Sequence, residues 1–305
     1  MRTDVLTKRY GPVTALAGLS MSVPRGEIFG FLGPNGAGKT TAVKLLLGLA
    51  RPTSGEARVL GAPPSDLEMR RRIGYLPELF RYQDWLTARE VLALHCALAG
   101  LPRVRRSGAI DASLELAGLT ARRDDRVGTY SKGMQQRLGL AVALVAEPDV
   151  VFLDEPTSAL DPVGRRDVRE VLRSLKARGA TVFLNSHMLS EVELVCDRVA
   201  VVDRGRVVSL GTLAELIGGS RRVRIGVEAA SDAQSAAASG FGIVERAGGT
   251  EIVIGGVEAG RIPDVVAALV AAGARIRSVV PESQTLEDRF LALLQEPDDA
   301  DPDHR

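Results

Sequence analysis

Cysteine is scarce. The chain of 305 residues has two, Cys96 and Cys196, far apart and without metal-ligand spacing, which argues against a disulfide scaffold or a zinc site and for a reducing compartment. Long apolar runs are also missing. The longest uncharged ones, Leu138–Ala146 and Val265–Ala274, reach about half of the ~20 residues a membrane helix needs. The opening MRTDVLTKRYG lacks the apolar stretch of a signal peptide. Nor is there a charge excess: 39 basic against 38 acidic residues leave no global field toward nucleic acid or anionic lipid. What is present is globular, with 45% hydrophobic and 25% charged residues, which excludes disorder and a collagen-like fibre. The length allows one large domain or two ordinary ones. The charge is unevenly spread, since the segment from Ser220 onward has 9 basic and 14 acidic residues and the part before it is mildly basic. That asymmetry favours an anionic ligand on the first part.

Along residues 1–219 apolar strands alternate with helices. Ile28–Leu32, Ile73–Leu76, Val150–Leu153, Thr181–Asn185 and Val199–Asp203 read as buried strands. Continuous apolar strands with helices between them predict a parallel sheet covered on both faces. Arg204-Gly205 reads as a hairpin turn into Arg206–Ser209. Residues 86–146 carry helix signals instead: Thr87-Ala88-Arg89-Glu90 is a capping box, and a second helix is expected from about Ser107 to Ala117. This stretch is a helical insertion in the α/β domain. A linker falls at Ile217-Gly218-Gly219-Ser220. Residues 220–295 then read as strand 222–228, helix 231–239, strands 241–246 and 250–254, helix 261–273, strand 275–280 and helix 285–294. That order predicts a small α+β, ferredoxin-like accessory domain, followed by an acidic tail at 296–305.

Three clusters carry chemistry. Gly33-Pro34-Asn35-Gly36-Ala37-Gly38-Lys39-Thr40 matches G-x-x-x-x-G-K-[ST] between an apolar strand and an amphipathic helix running from about Lys39 to Leu49. Glycines let the backbone fold round phosphate, and the helix N-terminus adds partial positive charge. Lys39 would reach the β- and γ-phosphates of ATP, Thr40 would place its hydroxyl on Mg²⁺, and Thr41 would touch a phosphate. The second cluster is the strand Val150–Leu153 ending in Asp154 and Glu155, at the edge where open α/β sheets bind ligands. Asp154 is placed to hold Mg²⁺ and Glu155 to take a proton from a water attacking the γ-phosphate. Third, His187 follows the strand Thr181–Asn185. It is either an ordinary strand-end histidine or a group that meets the γ-phosphate or the water; His95 and His304 keep the ordinary reading.

Tyr130-Ser131-Lys132-Gly133-Met134-Gln135-Gln136-Arg137 places a second anion nest at a helix start. With two such nests the chain resembles the ATP-binding-cassette (ABC) ATPases, whose signature is typically L-S-G-G-Q. Here Lys132 replaces the first glycine and Met134 precedes the glutamine, Gln135, while Ser131 and Gly133 are kept. The resemblance spans about residues 1–215. It implies that Tyr10, in Lys8-Arg9-Tyr10-Gly11, stacks on adenine. It also implies that Asp161, in Ser158-Ala159-Leu160-Asp161, belongs to the loop that communicates across a dimer, and that His187 is the switch histidine. Where the family usually has glutamine after a short strand, this chain has Glu78, whose carboxylate can face Mg²⁺ or water or simply be solvated.

The resemblance implies a P-loop ATPase that works as a homodimer or heterodimer, the partner's Ser131 and Gly133 closing each ATP site. The Tyr75-Leu76-Pro77-Glu78 stretch, the altered signature and Leu286-Glu287-Asp288-Arg289-Phe290 near the end resemble the ABC-2 exporter branch of drug-resistance, sodium-efflux and gliding-associated ATPases. That branch implies a separate ABC-2 type membrane permease as partner, contacted through the helical insertion and the Glu78 loop, and a peripheral place on the cytoplasmic face of the plasma membrane. Arg70-Arg71-Arg72, Arg103, Arg105 and Arg106 are either part of that contact or a solvated surface. The other readings are a soluble ABC ATPase acting on nucleic acid or ribosomes, and a P-loop kinase. The chain lacks the coiled-coil or zinc insertion and the second cassette that the former usually has, and the signature argues against the latter; no nucleic-acid partner is expected.

Overall fold

The computed structural model describes residues 1–217, 221–283 and 285–295. The predicted acidic tail and linker residues 218–220 lie outside them. The described chain forms two compact units that part between Leu210 and Gly211. This corrects the boundary expected at 219, and the reason is local. The short helix α8 (Leu213–Ile217) packs with the last helix, α11 (Leu286–Gln295), inside the second unit.

In the first unit the order is β1 (Arg2–Tyr10), β2 (Val13–Ser22), β3 (Ile28–Leu32), α1 (Lys39–Leu46), β4 (Ser54–Arg58), α2 (Leu67–Arg70) and β5 (Ile73–Leu76). Helices α3 (Ala88–Leu98), α4 (Arg103–Leu116) and α5 (Lys132–Leu144) follow. Then come β6 (Val150–Asp154), α6 (Pro162–Ala177), β7 (Thr181–Asn185), α7 (Leu189–Val195), β8 (Arg198–Asp203) and β9 (Arg206–Thr212). Six strands make one sheet in the order β5-β6-β7-β3-β8-β9, and β5 through β8 are parallel where they pair. Every residue of β3, β6 and β7 is buried, the pattern of central strands covered on both faces. Phe183 of β7 lies at their centre, with ring centroids 5.2 Å from Phe31 and Phe152 and 5.7 Å from Phe29. β8 turns into β9 through Arg204 and Gly205, both at positive φ, as a two-residue hairpin requires.

A second sheet was not foreseen. β2, β1 and β4 pair antiparallel beside the main sheet, where the sequence had suggested only alternating strands and helices. Leu6, Leu16 and Leu19 anchor it in the core shared with Phe29, Phe31 and Phe183. The helical insertion has its own core, with Val91, Leu92, Leu114, Leu138 and Ala141 fully or almost fully buried. The capping box holds: Thr87 Oγ1 accepts from the Glu90 N–H, and Glu90 Oε2 accepts from the Thr87 N–H. α4 starts at Arg103, earlier than expected, because Pro102 supplies the entry angle and a missing N–H costs nothing there. α1 ends at Leu46, short of the expected Leu49, with Gly48 at φ 67° just beyond it.

The second unit, after α8, runs β10 (Arg221–Val227), α9 (Asp232–Ser239), β11 (Ile243–Gly248), β12 (Glu251–Gly255), α10 (Ile262–Ala271), β13 (Ile276–Ser283) and α11. Its sheet is antiparallel throughout, in the order β11-β12-β10-β13. That is the ferredoxin-like βαββαβ arrangement read from the sequence. Val223, Ile225 and Val227 alternate inward along β10 and meet Ile252, Ile254, Val265 and Leu269.

Candidate nucleotide site

The site is made by the parallel register of the main sheet. β6 pairs β7 so that Asp154 stands opposite Asn185, and β3 pairs β7 so that Phe31 stands opposite Asn185. Three strand ends therefore finish side by side, and the residues just beyond them, Gly33, Glu155 and His187, emerge at one edge. β5 adds Glu78, since Leu76 pairs with Leu153. A cavity of about 520 Å³ opens there. It is lined by Asn35, Gly36, Gly38, Lys39, Thr40, Thr41, Glu78, Asp154, Glu155, Asn185 and His187, and by Val13, Thr14 and Ala15 of β2.

The loop from Gly33 to Thr40 needs glycine for two different reasons. Gly38 has φ 98°, and a Cβ there would lie 2.3 Å from the Ala15 carbonyl oxygen. At Gly33 a Cβ would lie 2.2 Å from the Val202 oxygen of β8, so the constraint is close approach. The hairpin turn after β8 braces the loop, with the Gly205 N–H donating to Ala37 O at 3.0 Å. The first-turn N–H groups of α1 have no intrahelical acceptor, and Lys39, Thr40 and Thr41 of that turn line the cavity. Lys39 Nζ folds back onto Gly33 O (2.6 Å) and Pro34 O (3.1 Å).

Electrostatics distinguish the groups. Burial lowers the Lys39 ammonium below the ordinary lysine range, against the pull of Glu155, Asp154 and Glu78. Burial raises the Asp154 carboxyl; the Asn185 hydrogen bond opposes this, and the neighbouring Glu78 and Glu155 add to it. Asn185 Nδ2 donates to Asp154 Oδ1 at 2.5 Å, while the buried Asn185 Oδ1 has no partner. Glu155 is 7% exposed and sits at φ 53°, in the left-handed region. Its Oε1 accepts from the His187 N–H at 2.9 Å and lies 2.7 Å from His187 Nδ1. Ser186 Oγ donates to Oε2 only at 3.4 Å. Oε1 is thus saturated and Oε2 is the oxygen left to accept a proton.

Of the predicted loop residues, Gly33, Pro34 and Ala37 do not line the cavity, and four further predicted residues lie away from the loop. Ser131 caps α5, its Oγ accepting from the Met134 N–H at 3.2 Å, and Gly133 and Gln135 belong to that helix's first turn. Asp161 caps α6, its Oδ1 accepting from the Gly164 N–H at 2.7 Å. None of these four lines the cavity. Tyr10 does not line it either, but it pairs across the β1–β2 hairpin with Val13, which does. The residue is 47% exposed, and Lys8 Nζ is 4.8 Å from the ring centroid. Sequence reasoning missed Val13, Thr14 and Ala15, which carry no motif, and Asn185 as the partner of Asp154.

Residues 16–158 match the ABC transporter family. An ABC transporter ATP-binding protein of Synechocystis sp. is 41% identical over 286 residues, covering 93% of this chain and 79% of that one. The chain belongs to the ABC transporter ATP-binding proteins. This ABC ATPase is also 42% identical over 210 residues to the bacitracin transport ATP-binding protein of Bacillus licheniformis, covering 68% of each chain. Among solved structures, a dimeric ATP-binding cassette in a post-hydrolysis state with ADP and Pi matches it with TM-score 0.64 and 26% identity. That match covers 70% of this chain and 98% of the other. The ABC ATPase therefore binds and hydrolyses ATP in a cassette of known fold, and no helix among its described residues is long and apolar enough to cross a membrane.

Proposed function

We propose that this ATPase is the nucleotide-binding subunit of an ABC-2 type exporter, dimerising on ATP to drive a separate permease from the cytoplasmic face of the membrane. The observation that carries the catalytic half is the convergence of Lys39, Thr40, Asp154, Glu155 and His187 on one sheet edge. Lys39 would leave its loop carbonyls for the β- and γ-phosphates. His187 would hold Glu155 Oε1 so that Oε2 faces the attacking water and takes its proton.

Mg²⁺ fits the donor set. Three carboxylates, Glu78, Asp154 and Glu155, face one ammonium in the cavity, and a polyphosphate would add negative charge. The orphaned Asn185 Oδ1 and the Thr40 hydroxyl are further oxygen donors. Among the described residues no group of three or more His, Cys, Asp and Glu is clustered to cage an ion, so water and phosphate oxygens would complete the shell, as Mg²⁺ prefers. When bound, the ion would offset charge on the β- and γ-phosphates, with Thr40 and Asp154 holding it and Glu78 close by.

Dimerisation is supported by what the cavity omits. Ser131, Gly133 and Gln135 form an anion nest that meets no phosphate site of its own chain, so the nest is offered to a partner's nucleotide. Asp161, with its carboxylate engaged as a cap, would act across that seam through its loop's backbone, and Tyr10 would lie under adenine at the cavity mouth. For the permease, a groove of about 420 Å³ lies beside the insertion, lined by Tyr75, His95, Leu98 and Val142 among others. Leu79, Trp85, Leu98 and Val104 are exposed by 70% or more on the Glu78 loop and the insertion. The exporter assignment draws on the bacitracin transport protein and on the Nod factor export ATP-binding protein I of Burkholderia orbicola, 44% identical over 212 residues, 69% of this chain and 70% of that one.

Two variants test the reading. Lys39→Ala is expected to lose ATP binding and turnover. Glu155→Gln is expected to keep ATP binding, lose hydrolysis by about a hundredfold or more, and run as an ATP-dependent dimer on size exclusion. Parent-rate hydrolysis in Glu155→Gln removes the general base, and a variant that stays monomeric with ATP removes the dimer.

A further inference from the structure

The backbone of Glu155 is held in a conformation that a non-glycine residue seldom adopts, at φ 53°. Such a geometry persists only when its surroundings over-determine it. The Glu155 N–H donates to Asn185 O at 2.9 Å, which is ordinary sheet pairing continued one residue beyond β6. Its carbonyl oxygen is treated differently. It accepts from Ser158 Oγ at 3.1 Å and from Gln136 Nε2 at 3.2 Å, with the Ser158 N–H a longer third donor at 3.4 Å, so side chains from the following turn and from α5 both hold it. Gln136 is a polar side chain 5% exposed in the middle of the buried face of α5. A buried amide there is expensive unless it is bonded, and the partner it has is the general base's own peptide.

We infer that Gln136 is a positioning residue for Glu155, and that it ties the base to the Ser131 end of α5. The helix between Ser131 and Gln136 is continuous and rigid on the scale of one and a half turns, so a displacement at the cap moves the amide with it. When the carbonyl shifts, the Glu155 side chain swings with its own Cα, and a shift of about 1 Å at a reacting group costs about a hundredfold in rate. The second part of the inference rests on the dimer proposed above. In that dimer Ser131 faces the partner's nucleotide while Glu155 serves the nucleotide on its own chain. Gln136 then joins the two sites: occupancy of the nest sets the base of the other site. The residue acts through Glu155 and touches no substrate, so its loss slows the chemical step and leaves ATP affinity alone.

The test uses the full chain with Gln136→Met, which keeps length and volume and removes the donor, and Gln136→Asn, which keeps the amide one methylene too short. Single-turnover hydrolysis is expected to fall ~10–100-fold in both, with ATP affinity, read from a fluorescent nucleotide, within about twofold of the parent. Ser158→Ala, which removes the other side-chain donor from an exposed position and leaves the backbone N–H, is expected to show a smaller loss. Combined with Gln136→Met it should give less than the product of the two single effects, because both donors serve one oxygen. The ATP dependence of steady-state hydrolysis should lose its cooperativity in Gln136→Met. Parent-like single-turnover rates in a folded Gln136→Met or Gln136→Asn overturn the positioning role. A fall in rate matched by an equal fall in affinity, with no coupling to Ser158→Ala, overturns it as well, since that is general damage to α5. A parent that is itself non-cooperative, beside a Glu155→Gln variant that never dimerises, defeats the dimer and the link between sites; the single-turnover comparison still decides the positioning role by itself.

Discussion

Glu78 stands where relatives of this fold were expected to have an amide, and its cost is visible in its neighbours. Together with Glu155 it adds to the raised pKa that burial gives Asp154, and it pulls the Lys39 value upward. Glu78→Gln keeps the shape and removes one charge from the cavity proposed to receive polyphosphate. ATPase activity is expected to stay within about tenfold of the parent, ~1.4 kcal/mol of barrier, and a larger loss in steady-state assays would give the carboxylate a task of its own. Asp154 gives a prediction of opposite sign for stability and for function. Its folded pKa is raised above the unfolded value, so the stability linked to it is complete below the unfolded carboxylate pKa and is lost as pH rises through the folded pKa. Asp154→Asn keeps an oxygen for the Asn185 amide and removes the buried charge. The nucleotide-free variant should therefore melt above the parent at pH 7, with the gap closing toward pH 4, while its ATPase activity is lost. A melting temperature below the parent's at pH 7 would show that the charge is satisfied by something other than nucleotide and cation. Residues of this kind were legible in the sequence because phosphate chemistry demands particular types at particular spacings. Gln136 and Thr14 were not: a helix-borne glutamine and a strand threonine are ordinary until the fold shows what they touch.

Among the elements, the parallel strands declared themselves because burial on both faces leaves them uniformly apolar, as in Ile28–Leu32 and Thr181–Asn185. The β1–β2–β4 sheet did not. β1 reads Arg-Thr-Asp-Val-Leu-Thr-Lys-Arg-Tyr, with Thr3 and Leu6 its two buried residues and the pairing shifted between them. β4 reads Ser-Gly-Glu-Ala-Arg and has no fully buried side chain. Neither has a periodic apolar face, so backbone pairing to β1 fixes β4, and pairing is invisible in composition. α5 combines two roles that the sequence showed only in part. Its start at Ser131 was legible as a nest, while its cap geometry shows that the Ser131 hydroxyl already serves the Met134 N–H. Replacing Ser131 therefore has a structural cost of about 1 kcal/mol in addition to any effect on the nest. Ser131→Ala isolates the cap. Ser131→Arg adds bulk in front of the nest. Both should bind ATP like the parent in a filter or fluorescence assay. In the Glu155→Gln background, the ATP-dependent dimer should be weakened by Ser131→Ala and abolished by Ser131→Arg. A dimer that forms equally well with arginine there would mean the nest is not offered across the seam.

At the level of the whole molecule, the cores are built separately. The buried clusters round Phe183 and round Leu114 draw only on residues before Leu210, and the cluster round Ile225 draws only on residues from Val223 onward. Every residue lining the nucleotide cavity precedes Met188 in the sequence. A chain ended after Ile217 keeps all of β9, whose pairing completes the main sheet, and loses the whole antiparallel sheet with its helices, keeping only Gly211–Ile217 of the second unit. It is expected to fold cooperatively and to bind ATP within about twofold of the full chain, since both buried clusters of the first unit are composed of residues before Leu210. The second unit has no nucleotide motif, and its sheet is stitched on one face by ion pairs such as Arg222–Glu245 and Arg224–Glu251, both 2.7 Å. The role we propose for it is a tether between subunits or to the permease, which would raise the effective concentration of the parts between ATP strokes. The shortened chain should thus need more protein, at saturating ATP in the Glu155→Gln background, to reach half-dimerisation by light scattering, or should lose permease-stimulated hydrolysis in a reconstituted assay. ATP affinity lost in a shortened chain with a sharp melting transition would overturn the independence of the two units. Association and stimulation both equal to the full chain's would leave the tether without support and point instead to a role for the second unit outside the ATP cycle.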